Sequence, residues 1–116
     1  MHIRNMEQVN KVKLVMDDAE KVWKQIPLGQ AENVPGFSFR VFTLEPGGHT
    51  PYHQHPFEHL NYVIEGTGAL VDKDKKEHAI KKGDFILVQP DEVHNYKNTA
   101  DKGNLIVICA VPREYE

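Results

Sequence analysis

From Gly36 onward the chain is written in short apolar and β-branched runs cut by turn residues. Phe37-Ser-Phe-Arg-Val-Phe-Thr-Leu44 reads as a strand that Glu45-Pro-Gly-Gly48 stops. Further strands are expected at Leu60–Ile64, Gly68–Val71, His78–Ile80, Phe85–Gln89, His94–Lys97 and Leu105–Val111. Between them stand Glu65-Gly66, Asp72–Lys76, Lys82-Gly83-Asp84, Pro90-Asp91 and Asn98–Asn104, all polar or turn-forming. Many short strands at regular spacing make an all-β sandwich or barrel. Upstream the pattern is weaker. Residues 1–20 read as a polar arm with a turn around Met16–Ala19. Asp17–Gln25 fits a helical patch through Ala19, Val22, Trp23 and Ile26, and Val22–Ile26 fits a strand equally well. Pro27-Leu28-Gly29 closes either one. The expectation is one domain over residues 1–116, with an arm at 1–35 and a barrel at 36–112.

A period of two also sorts side chains by face. If His94 points inward, Tyr96 and Asn98 share its side. His59 brings Asn61 and Val63 with it, leaving Leu60, Tyr62 and Ile64 as an apolar outer face for a second sheet or subunit. On the first long strand Ser38, Arg40, Phe42 and Leu44 share a face. Arg40 there is either a pocket cation for a carboxylate or a surface arginine stretching to water. Cys109, between apolar neighbours, reads first as a small buried hydrophobe. A thiol facing a cavity along with Val107 and Val111 is the sharper alternative.

Composition narrows the class. With 40% apolar and 27% charged residues among 116, the chain has the make-up of a soluble globular domain with one core. A single cysteine excludes an intrachain disulfide. Net charge is −3 and lysines and arginines form no long run, so nucleic acid is not an expected partner. The first residues hold no apolar signal core, and no segment reaches membrane-spanning length. A cytoplasmic protein without membrane association is expected.

Histidine is the outlier, with seven copies, four of them between His49 and His59. His53 and His55, two residues apart on a strand, present imidazoles to one side. Pro56-Phe57 breaks the chain, His59 opens the next strand, and His94 comes from a distant one. Imidazoles converging from separate strands suit a divalent first-row transition metal. His2, His49 and His78 read as surface residues.

The spacing resembles that of the cupin superfamily. Its first motif, Gly-x5-His-x-His-x3-4-Glu-x6-Gly, is matched by Gly47, His53, His55 and Gly66. His59 stands where glutamate is usual, and Glu58 lies one place early. In the second motif, Gly-x5-Pro-x-Gly-x2-His-x3-Asn, the residues Gly83, His94 and Asn98 are in register. Pro90 is displaced by one, and Asp91-Glu92 replaces the end of Pro-x-Gly. The likeness runs from about residue 37 to 112 and implies a small jelly-roll β-barrel, the double-stranded β-helix of RmlC-like cupins. It looks particularly like small single-domain bacterial cupins with a four-histidine manganese site. That resemblance implies His53, His55, His59 and His94 as ligands, with Glu58 the alternative to His59. It implies manganese ahead of iron, nickel, cobalt, copper or zinc, and a homodimer. The implied activity is that of a metal-dependent oxidoreductase of dioxygenase type on a small oxygenated compound that chelates the metal. Its alternatives are a non-catalytic binding or sensing cupin, or a decarboxylase or isomerase of a small acid or sugar. Tyr96, Arg40 and Cys109 are the pocket candidates.

Overall fold

Strand alternation builds nearly everything in this molecule. The computed structural model describes residues 1–116 and contains nine strands, three short 3₁₀ turns and no α-helix. The strands are β1 (Val12–Lys13), β2 (Glu20–Leu28), β3 (Phe37–His49), β4 (His59–Glu65), β5 (Thr67–Val71), β6 (Glu77–Lys81), β7 (Phe85–Val88), β8 (Asn95–Lys97) and β9 (Leu105–Pro112). No helix is long and apolar enough to cross a membrane.

All pairings are antiparallel, in the order β6-β5-β8-β3-β9-β4-β7, with β2 on the other side of β3 and β1 beyond it. The long strand β3 belongs to both halves. Its first part lies between β2 and β9, and its last residue, His49, pairs with Lys97 of β8. The bend between them falls at Pro46-Gly47-Gly48, where Gly47 takes a φ of +81°. One sheet therefore curls on itself into a barrel closed at one end.

The closed end is filled by the fully buried Val22, Leu44, Val63 and Leu105 with Val107, and Ile80 and Tyr96 meet them from the opposite wall. These are the inward members of an alternating pattern, most regular in β9, where every second residue is buried. Gly66 makes the β4–β5 turn possible. Its φ is +85°, and a Cβ there would lie 2.2 Å from the carbonyl oxygen of Asn104.

The arm resolves the ambiguity left by its sequence. Glu20–Leu28 is a strand, not a helix, and Val22 inserts into the core opposite Leu44. Pro27 does not stop the strand. It sits where the register between Gln25 and Leu28 slips, a position that needs no ladder N–H. The arm folds back on its own barrel, held by the buried Gln25, whose amide donates to the carbonyls of Met6 (2.9 Å) and Val9 (3.1 Å). An ion pair between Arg4 and Glu32 at 2.9 Å adds to this.

Candidate metal centre

The open end of the barrel holds a cavity of about 190 Å³. The three imidazoles of His53, His55 and His94 meet on its wall, their ligand-capable nitrogens all within 4.8 Å of one another. One expectation about how they arrive is corrected. His53 and His55 do not sit on a regular strand; the stretch 50–58 is irregular. Instead His53 forms an isolated bridge with His94, its N–H donating to the His94 carbonyl (3.1 Å) and its carbonyl accepting from the His94 N–H (3.0 Å). Asp91 N–H donates to the His55 carbonyl at 2.7 Å, and Thr50 N–H to the Tyr96 carbonyl at 3.0 Å. The loop is thus laced along its length to the segment carrying His94.

Hydrogen bonds also set the tautomers. Nδ1 of His94 lies 2.8 Å from the Glu92 carbonyl and Nδ1 of His55 lies 3.2 Å from the Phe57 carbonyl. A carbonyl can only accept, so both Nδ1 atoms carry the proton and both Nε2 atoms keep a free lone pair. The Nε2 of His55 is buried with no hydrogen-bond partner. An unpaired buried lone pair beside two more imidazoles is the donor arrangement a transition-metal ion fits. All these rings are neutral near pH 7. Burial, then the neighbouring His55 and His94 rings, push His53 down to about 4. Burial also lowers His55 and His94.

His59 is buried at the edge of this cluster, its ring centroid 4.0 Å from that of His55 and 5.7 Å from that of His94. Its Nε2 is 3.2 Å from Nη2 of Arg40, which must be the donor. Burial and the surrounding rings and guanidinium hold His59 down at about 2. Glu58 does not line the cavity.

The family model described as a cupin domain matches residues 40–111, more than half of the chain. The chain belongs to the cupin domain family. A 57-residue segment of this cupin is 33% identical to gentisate 1,2 dioxygenase 1 of Aquipseudomonas alcaligenes, covering 49% of the chain and 16% of that enzyme. Among solved structures it resembles the polyketide cyclase RemF from Streptomyces resistomycificus at 22% identity and a TM-score of 0.90, over 97% of the chain and 79% of that protein. It also resembles a predicted oxalate decarboxylase from Thermotoga maritima at 21% identity and a TM-score of 0.83, over 97% and 99%. The chain spans between 16% and 61% of the length of the curated relatives it matches.

The other pocket candidates of the cupin also lie in the cavity wall. Tyr96 is buried there, its hydroxyl receiving a hydrogen bond from the Asn61 amide, and burial raises its pKa so that it stays a phenol. Arg40 is a buried wall residue and not a surface one. Cys109 is buried, as first expected, and also faces the cavity, its Sγ 3.2 Å from Arg40 Nη2, so the alternative of a cavity-facing thiol holds beside it. Burial raises this thiol. Val111 packs away from the cavity, whereas Val107 lines it. Asn98 is buried on the expected side, just past the end of β8, but does not line the cavity. Its amide donates to the Leu44 (2.9 Å) and Gly103 (3.0 Å) carbonyls and pins the β8–β9 loop, away from the cavity. The sequence reading missed Leu14, Met16 and Lys24 of the arm as wall residues. The signal for Lys24 is its shared parity with Val22 on β2, readable only if that stretch is a strand; Leu14 and Met16 lie before β2 and carry no such signal.

Proposed function

We propose that this cupin binds a divalent first-row metal, manganese first among the candidates, and acts as a dioxygenase-type oxidoreductase. The substrate would be a small oxygenated compound that chelates the metal. The observation that carries this is the cluster of neutral imidazoles with free Nε2 lone pairs on the wall of a cavity. His53, His55 and His94 would hold the ion, with His59 as a fourth ligand once its Nε2 turns from Arg40. When bound, the ion supplies Lewis-acid polarisation of a chelated oxygen and one-electron chemistry. The chain itself supplies orientation. The His55 and His94 rings are fixed by their Nδ1–H bonds to carbonyls, and Phe57 stacks on His55 with centroids 4.3 Å apart.

No aspartate or glutamate lines the cavity, so a reaction needing a carboxylate base has none at hand. The local likeness to a gentisate 1,2 dioxygenase points toward oxygen chemistry. Metal content measured on protein purified without added metal is expected to be near one ion per chain, falling several-fold in His94→Ala. Oxygen uptake in the presence of small chelating acids would follow the metal. Absence of metal sinks the proposal, and tight ligand binding without turnover would leave a sensing module in place of an enzyme.

We also propose a homodimer formed through the outer sheet face. Phe39, Ala110, Leu60 and Leu87 lie in one register row, and Val41, Ile108, Tyr62 and Phe85 in the next. Leu60, Leu87 and Phe85 are more than half exposed, and the shallow groove between these strands contains no charged side chain. A second copy of the same face would cover it by two-fold symmetry.

A further inference from the structure

The cavity has a cationic pole that the metal ligands do not explain. Two inward rows of the sheet end in a positive charge. One runs Lys24, Phe42, Val107, Val63, and the other Arg40, Cys109, Asn61, Ile86. Both cations line the cavity, and no acidic side chain does. Arg40 is only 9% exposed, so its guanidinium has left water without meeting a carboxylate. Its hydrogen bonds are poor ones. Nη2 faces a neutral imidazole and a thiol, both at 3.2 Å, and the buried Nε has no partner at all. Nε–H and an Nη2–H of a guanidinium point the same way and form the fork that grips a carboxylate. Here that edge is half unused, and it would lose its imidazole if His59 turned to a metal. The Asn61 side-chain oxygen, in the same row, is also buried without a donor.

We infer that the ligand of this cavity is a small carboxylic acid. Its carboxylate is gripped by the Nε/Nη2 edge of Arg40, with Lys24 as a second cation. Its body lies against Phe42, Leu14 and Val107. A second oxygen, such as a neighbouring hydroxyl or oxo group, reaches the histidine cluster; this last part rests on the metal reading above. The Asn61 oxygen suits a hydroxyl on that body as the donor it lacks. Lys24 Nζ donates to the backbone oxygen of Glu116 at 3.3 Å, and the negative charge of Glu116 partly offsets the ammonium, so Lys24 is the weaker of the two cations. Burial, and then Arg40, lower the Lys24 ammonium, as expected of two cations sharing one space.

The test compares benzoate with benzamide, nearly the same shape with and without the charge, on chelator-treated protein by calorimetry. Benzoate is expected to bind about tenfold more tightly than benzamide, the usual advantage of a charge-assisted pair. In Arg40→Gln the ratio falls to near one, and in Lys24→Gln it falls by a smaller factor. If Arg40→Gln does not fold, Arg40→Lys keeps the charge without the fork and should lose most of the ratio. Equal binding of the two probes to the unaltered chain overturns the carboxylate site, as does a ratio unchanged in the Arg40 variants. Because these measurements use metal-free protein, failure to take up manganese would overturn the metal reading alone.

Discussion

The behaviour of single residues here is governed by what they lost on leaving water. The clustered histidines are neutral because burial penalises the imidazolium, and that has a consequence for stability. Both His53, lowered to about 4, and His59, lowered to about 2, start from an ordinary value of 6.5. Below pH 6.5 the unfolded chain takes up protons that the folded chain refuses, so folding weakens. Stability of the metal-free protein is therefore expected to be full above pH 6.5 and to fall progressively toward pH 4. Urea unfolding across that range checks it, and His53→Gln should flatten part of the slope. A midpoint independent of pH would mean that these rings are not desolvated. The residue scale also shows how legible the site was. His53, His55 and His94 were readable because motif spacing reports which side chains meet, whatever local path the backbone takes. The position of Arg40 was not readable, since alternation gives a face but cannot say whether that face meets core, cavity or water.

At the scale of elements, turns decide more than strands do. Gly66 takes a left-handed backbone and also sits against the Asn104 carbonyl, whereas Gly83, at a φ of +98°, has nothing within 4 Å of a Cβ. Gly83→Ala should therefore cost only the backbone term, roughly 1–2 kcal/mol. Gly66→Ala should cost distinctly more, and denaturant midpoints of the two variants give the difference. Equal losses would show that the β4–β5 turn relaxes freely. The same logic explains a departure from the cupin motif. Asp91 stands where the second motif has glycine, and its φ is +63°. The conformation is kept while the residue type changes, because aspartate is among the few side chains that tolerate the left-handed region. The strands from Phe37 onward were legible because apolar alternation between turn residues is a strong signal. The arm was not. Its Val22-Trp23-Lys24-Gln25-Ile26 run fits two periods, and only pairing with β3 chooses between them.

For the whole molecule, the two faces of one sheet do opposite jobs. The inner face carries cavity and core; the outer face around Phe39, Leu60, Phe85 and Leu87 is apolar and exposed within a single chain, while Val41 and Thr43 farther along β3 are covered. A dimer is expected by light scattering. Leu60→Glu with Phe85→Glu should yield monomers whose metal content is unchanged, since neither residue lines the cavity. A wild-type monomer would refute the assignment of that face. Barrel closure was readable from the motifs, but the partner was not, because one sequence cannot tell an exposed apolar face from one covered by its own chain. Last, the bridge between His53 and His94 means that two of the proposed ligands share a pair of backbone hydrogen bonds. The loop cannot breathe open without parting both at once. For a bound ion, escape and exchange of those two amide protons with solvent would then be one event, and whatever tightened the ion's hold would slow both clocks together.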